Sequence, residues 1–397
     1  MMQQTVYPDS PAQQPAGERL PDPQTGRRRV ILDERGLLDV PFLVLTVLLV
    51  LIGVLMMFSA SYARAYSAEG KATYYFARQA VFAIVGIGIM LFFSTWNYQI
   101  WRSVSFFILA AAIVFLLLVP LIGIEENGAK RWIYLGFTSF QPSEVAKLGI
   151  VLTFASMISY YRERMQSFRE GILPFVVILA VVCGLLVLEP HLSAIIIILG
   201  VSAAMLFLGG VKLRWFALGL GVVAVFVAVY LATKGYAGDR IQAWLHPFED
   251  ESDSGYQIVQ SLYAIGSGGL MGLGLGRSRQ KYLYLPEEHN DYIFPIVCEE
   301  LGFVGAMVVL LLFLLLILRG YWIALHARDR FGMLVVGGLT TLLALQVFLN
   351  IGVVTNLLPA TGISLPFFSY GGTALLIQLF EMGVILSVSR QNDNKLI

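Results

Sequence analysis

The sequence predicts an all-α polytopic membrane protein with about ten transmembrane helices of about 20 residues each and a long extracellular loop between helices 7 and 8. Three observations carry this prediction. The chain is 57% hydrophobic with a mean hydropathy of +0.75, against roughly 45–50% apolar residues in globular domains. Long apolar runs recur along most of its 397 residues. Lys and Arg are also distributed unevenly between alternate loops, as positive-inside insertion requires.

Residues 1–36 are polar, rich in proline and carry the basic run Arg27, Arg28, Arg29. Such a composition cannot bury a core and reads as a disordered cytoplasmic tail. The first apolar run, Val40 to Phe58, is too long and too far from the start for a signal peptide, so it reads as an uncleaved span. Further spans are expected near 76–94, 103–123, 144–160, 172–188, 192–209, 214–232, 292–318, 332–356 and 367–388. Residues 37–390 then form one transmembrane domain with external loops 124–142 and 233–291, followed by a cytoplasmic C-terminal tail, 391–397.

Topology follows from the short loops. With the N-terminus inside, Arg35, Arg102, Arg162, Arg164, Arg169, Lys212, Arg214, Arg319, Arg328, Arg330 and Arg390 fall on the cytoplasmic side with the basic tail. Arg64, Lys71, Lys130 and Arg131 remain for the opposite face. Both termini are then cytoplasmic and the polar clusters external. A net charge of +1 without a basic stripe argues against nucleic acid. Cys183 and Cys298 lie in or beside separate apolar runs, which implies neither a disulfide framework nor a metal cage.

The chemistry concentrates in QKYLYLPEEHNDYIFPIVCEELG, Gln280 to Gly302. Ionisable groups packed at a membrane boundary are a functional signal. Asp291, the last carboxylate before the apolar run beginning at Tyr292, is expected at the mouth of a helix, where desolvation can make it a base. A solvated helix entrance is the plainer alternative for Glu287, Glu288 and Asp291.

In NGAKRWIYLGFTSFQPSEVAKLG, Lys130 and Arg131 can hold a phosphate or pyrophosphate, or can anchor the interface beside Trp132 and Tyr134. Glu144 and Lys147 share a helix face three residues apart, either as a structural pair or as a substrate contact. LEPHLSA puts Glu189 and His191 between two spans as an inward-facing polar pair; two ligands alone do not make a metal site.

The loop through Arg240 and the glycine-rich GYQIVQSLYAIGSGGLMGLGLGRSRQK has no strand before it and no GK[ST] after it, so it is not a nucleotide loop. Gln257–Leu275 reads as an interfacial or re-entrant element covering a cavity, with Arg277, Arg279 and Lys281 toward an anionic headgroup. In NLLPATGISLPFFSYGGTALL, Pro359, Gly362 and Pro366 break the helix, and Ser369, Tyr370 and Thr373 offer hydroxyls at a span's outer end.

NGAKRW, FQPSEVAKL, GYQIVQS through GLGLG, QKYLYLPEEHNDYIF with EELG, and LPATGISLPFFSYGG, in this order, resemble the signature segments of the SEDS family (shape, elongation, division and sporulation; FtsW/RodA-like), closest to its FtsW and sporulation branch. The resemblance implies a glycosyltransferase that polymerises lipid II, the undecaprenyl-pyrophosphate-linked disaccharide-pentapeptide, into β-1,4 glycan at the outer face of the bacterial plasma membrane. It implies inversion at the sugar, Asp291 as the essential aspartate, and a class B penicillin-binding protein with other divisome or elongasome membrane proteins as partners.

Substrate contacts are then expected from Lys130, Arg131, Glu144, Lys147, Arg240, Lys281, His289, Ser369 and Tyr370, with a divalent cation, Mg2+ or Mn2+, as a possible aid. Two departures stand out: His191 where the family commonly has an acid, and Asn290–Asp291–Tyr292 where Thr–Asp–Phe is commoner. A role in division, elongation or sporulation stays open, as do a lipid II flippase and a non-catalytic scaffold.

Overall fold

Asp39 accepts the backbone amide of Phe42 at 2.9 Å and Pro41 stands in the first turn, so the first helix begins at Val40. The computed structural model describes residues 36–126, 129–134, 136, 138–219, 221, 242–249 and 255–391. Most of the expected span 214–232, Arg240, all of the N-terminal tail but Gly36 and all of the C-terminal tail but Gln391 lie outside the described residues.

The helices are α1 (Val40–Glu69), α2 (Tyr74–Ser94), α3 (Gln99–Ile122), α4 (Pro142–Tyr161), α5 (Leu173–Leu188), α6 (Leu192–Leu208), α7 (Tyr256–Ser267), α8 (Ile293–Leu325), α9 (Arg330–Val354) and α10 (Gly372–Ser389). Among the described residues, α1, α2, α3, the stretch Phe168–Leu188 containing α5, α8, α9 and α10 are long and apolar enough to cross a membrane. Helix α6 is apolar but shorter, and the chain is a multi-pass membrane protein.

Burial sorts these helices by composition. In α2 only 22% of the most apolar window is buried, against 67% in α9 and 72% in α10. The two latter helices carry Thr340, Thr341, Gln346, Asn350, Gln378 and Glu381, which lipid cannot satisfy and which therefore turn inward. Helix α4 is buried along nearly its whole length. Gly149 lets it approach α3 closely, since a Cβ there would sit 3.1 Å from the Leu109 Cα. Helix α10 packs most extensively on α2, and α4 on α3.

Three expectations are corrected. Helix α1 continues eleven residues past Phe58 to Glu69, and one face of this polar extension packs on protein: Ser61 and Ala65 are fully covered and Ser59 donates to Glu300 at 2.7 Å. Arg64 is thus a helical residue and not a loop cation. The loop 124–142 contains a small antiparallel sheet, β1 (Ile124–Glu126), β2 (Ala129–Tyr134) and β3 (Ser139–Phe140), with Glu125 opposite Lys130 and Ile133 opposite Phe140.

Third, among the described residues Gln257–Leu275 supplies no lining to the large cavity described below. It forms α7 and a glycine turn that brace a break in α8 at Gly302, where φ is 69° and ψ is −173°. There Leu273 and Gly274 donate to the carbonyls of Glu299 and Glu300 at 2.9 and 3.0 Å. Phe303 and Val304 donate to those of Gly269 and Leu270 at 2.9 and 3.1 Å. The turn's backbone replaces the helical ladder that the break removes.

Candidate active site

The end of α1 and the first turns of α2, α4, α6 and α10 meet the hairpin and the segments 287–291 and 362–372 around a cavity of about 530 Å³. Four helix N-termini therefore face one space, which favours negative charge in it. The ionisable lining consists of Arg78, Arg131 and Lys147 against Glu69, Glu144, Glu287 and Asp291, with His191 beside them.

Asp291 is half-buried in the wall, two residues before α8 begins. Its backbone is fixed by Asn350, whose side-chain amide donates to the carbonyls of Asp291 and Ile363 at 2.8 and 2.6 Å. Gly362, at φ +67°, passes next to the carboxylate, and a Cβ there would lie 3.2 Å from Asp291 Oδ2. Only glycine combines that left-handed turn with so close an approach.

The hydroxyl of Ser369 donates to the Asn290 carbonyl and accepts from the Leu365 amide, both at 2.8 Å. The Tyr370 amide donates to the His289 carbonyl at 2.8 Å. Gln79, fully buried in α2, donates to the Ser369 carbonyl at 3.1 Å. Burial raises the Tyr370 hydroxyl pKa, and a hydrogen bond from Arg78 draws it back.

The expected pair Lys130 and Arg131 is split. Both sit on β2, where successive side chains point to opposite faces. Arg131 lines the cavity and donates to the Pro190 carbonyl at 2.6 Å, while Lys130 is exposed and outside the lining. Glu144 and Lys147 form a buried pair at 2.8 Å that reaches the cavity floor.

Lys281 is no cavity residue: it is buried against Glu300 at 3.0 Å and Ser59 at 3.2 Å. Glu299 accepts the Arg279 amide at 2.9 Å and the Ser278 hydroxyl, so the two acids of EELG hold the loop and take no part in the lining.

His289 is likewise buried outside the lining, between the rings of Tyr75 and Tyr370 at 5.1 and 5.9 Å. Burial pushes its imidazole down to about 4, with Arg64 adding to the shift and Glu287 opposing it. Glu288, for which a solvated helix entrance is the plainer alternative in the sequence, is fully covered and receives two hydrogen bonds from Arg64 at 2.9 Å. Burial raises its pKa, and Arg64 lowers it.

Glu189 and His191 stay between α5 and α6. Burial pushes the Glu189 carboxyl up to about 8, opposed by Arg131. It pushes His191 down to about 3, with Arg131 and Lys147 acting in the same direction. No three His, Cys, Asp or Glu side chains among the described residues gather as a metal site. Besides Glu144, the cavity lining carries the carboxylates Glu69, Glu287 and Asp291; such a set fits only an ion that takes further oxygens from a phosphorylated ligand, as Mg2+ commonly does.

Residues 40–394 match the family profile described as FTSW_RODA_SPOVE, cell cycle protein. The chain is 41% identical over 355 residues to Stage V sporulation protein E of Bacillus subtilis (strain 168), covering 89% of this chain and 97% of that protein. It is 39% identical over 354 residues to the protein named "Probable peptidoglycan glycosyltransferase FtsW" of Geobacter metallireducens, covering 88% and 94%. Its fold is similar to a chain of a peptidoglycan synthase complex solved for the coordination of polymerization and crosslinking, with a TM-score of 0.75, 27% identity and coverage of 90% and 99%. It is also similar to Rod shape determining protein RodA of Thermus thermophilus, with a TM-score of 0.67, 26% identity and coverage of 90% and 98%.

Proposed function

Since the chain belongs to the FtsW, RodA and SpoVE family of cell cycle proteins, we propose that it is a peptidoglycan glycosyltransferase that polymerises lipid II, with Asp291 as general base. The observation that carries this reading is the one cavity shared by the Asp291 carboxylate and the cations Arg78, Arg131 and Lys147. Polymerisation needs both kinds of group: a base for the acceptor hydroxyl and positive charge for a departing pyrophosphate.

In the proposed step the acceptor O4 forms a bond to the donor C1 while its proton passes to Asp291. The bond from C1 to the pyrophosphate oxygen breaks and its electron pair leaves with the lipid pyrophosphate. A β-linked product from an α-linked donor requires inversion, so one base suffices and no glycosyl-enzyme forms. Arg131, Arg78 and the four helix N-termini attract the pyrophosphate, and Ser369, Tyr370 and Asn350 hold the aspartate segment in place. A divalent cation held by Asp291 or Glu287 would neutralise pyrophosphate charge.

The Lys and Arg distribution supports a cavity open to the external face with both termini cytoplasmic. Likeness to a chain of a peptidoglycan synthase complex supports a class B penicillin-binding protein as the partner that crosslinks the strands.

The test is strand synthesis from lipid II by the purified protein with that partner in a system free of other polymerases. Wild type is expected to make glycan, and Asp291→Asn, folded to the same extent, to make none. Near wild-type synthesis by Asp291→Asn sinks the assignment. Transport of lipid II without synthesis by wild type makes the protein a flippase, and neither activity leaves it a scaffold.

A further inference from the structure

His191 is the residue at the cavity whose chemistry the proposed step leaves unused. It stands at the N-cap position of α6 without a side-chain capping bond and is 7% exposed, and its Nδ1 is buried with no hydrogen-bond partner. A buried polar atom left unpaired is uncommon and asks for a ligand, a water or a strain account. His191 shares the cavity wall with Ser193 and Ala194 of the same first turn. The Ser193 hydroxyl is committed to the Thr361 carbonyl, which ties this turn to the segment approaching Asp291.

The opening amides of α6 have no carbonyl partners within the helix and carry its positive end. Arg131 from the hairpin and Lys147 from α4 add positive charge toward the ring. Lys147 is paired with Glu144, and burial pushes Glu189 on the same loop toward its protonated form.

We propose that His191, the first turn of α6 and Arg131 form a phosphate subsite that receives the lipid-linked pyrophosphate, the imidazole taking up a proton as the anion arrives. This deepens the glycosyltransferase reading and rests on it for the identity of the ligand. A neutral ring beside two cations has no reason to protonate in the empty cavity. A bound phosphate oxygen supplies that reason and accepts the new N–H. The same ring would then release its proton as the pyrophosphate leaves, which resets the site at each turnover.

The experiment is calorimetric titration of the full-length protein in detergent with inorganic pyrophosphate, from pH 6 to 8, in buffers of different ionisation enthalpy. Wild type is expected to take up more protons per bound pyrophosphate at pH 6 than His191→Gln, with the difference shrinking toward pH 8. At pH 6.5 it should bind at least about tenfold more tightly than His191→Asp, roughly the worth of one charge-assisted hydrogen bond. Equal proton uptake and equal affinity in wild type and His191→Gln overturn the subsite, even if wild type makes glycan. Loss of both in the variants, with no glycan from wild type, keeps the subsite and removes the polymerase reading.

Phosphatidylglycerol added to the micelles is expected to leave pyrophosphate binding unchanged; competition makes this a membrane-headgroup site and overturns the leaving-group assignment. Should the variants not fold, 15N-histidine spectra of wild type decide. Of its four histidines, one ring is expected to pass from neutral to protonated on pyrophosphate addition, and no change overturns the proposal.

Discussion

The side-chain amide of Asn350, in the last turns of α9, holds the backbone of Asp291 to that of Ile363 by hydrogen bonds of 2.8 and 2.6 Å. It is 1% exposed, so water cannot replace it. Asn350→Ala is expected to destabilise the fold by about 2 kcal/mol, from one buried and one part-buried carbonyl that lose their donor. It should also lower the polymerisation rate about a hundredfold by loosening Asp291. Thermal unfolding and lipid II turnover check the two effects, and unchanged turnover in a destabilised Asn350→Ala refutes the positioning role.

Arg64 and Glu288 form the ion pair that pins α1 to the segment carrying Asp291. Removing the arginine leaves a fully covered carboxylate unpaired, at a cost of about 3 kcal/mol, the low end for buried pairs because Arg64 keeps 30% exposure. Arg64→Leu alone is therefore expected to be more destabilising than Arg64→Leu with Glu288→Leu, where no charge is stranded. Melting temperatures of the two variants against wild type give the comparison.

Gly302 and Gly272 meet backbone to backbone. A Cβ on Gly302 would stand 2.2 Å from the Gly272 nitrogen, and both residues have positive φ. Gly302→Ala is expected to cost about 3 kcal/mol or more, through strain added to collision. Gly276→Ala, whose Cβ meets nothing within 4 Å, should cost about 1 kcal/mol, from its left-handed φ alone. Equal melting temperatures for the two variants would contradict the bracing of α8.

His289 is neutral in the fold down to about pH 4, whereas the unfolded chain protonates it near 6.5. Between those values the unfolded state binds more protons, so stability falls as pH falls, by up to about 1.4 kcal/mol per pH unit. Above about pH 6.5 the term vanishes. His289→Phe, which keeps a ring between Tyr75 and Tyr370, is expected to flatten this dependence, and the slope that remains includes the share of His191, which has the same sign. Denaturant unfolding at pH 4.5, 5.5 and 7 measures it.

Most helices were legible because lipid demands apolar runs of fixed length. The end of α1 was not: Ser59, Ser61 and Arg64 read as a polar loop, whereas in the fold Ser59 bonds Glu300 on α8, Arg64 bonds Glu288 on the segment before it, and Ser61 is fully covered. The hairpin was missed although Asn127–Gly128 in the sequence is a strong turn signal and the alternating burial of Ala129 to Tyr134 suits a strand.

Asp291 could be singled out because a carboxylate against an apolar run is conspicuous, and Arg131 because a cation there breaks the inside rule. Lys281 and His289 carried the same kind of signal but serve packing. Arg78, Gln79, Asn350 and Gln378 gave none. Each lies inside a span, and its approach to the aspartate segment depends on which helices become neighbours.

The break in α8 has a final consequence. Between Glu299 and Val304 the helix borrows its hydrogen bonds from a segment some thirty residues earlier in the chain. Neither piece can satisfy its backbone in lipid without the other, so they must insert as one cooperative unit. A cut or an insertion within 268–274 would therefore undo the membrane helix as well as the loop, and with it the footing of the aspartate two residues ahead of that helix.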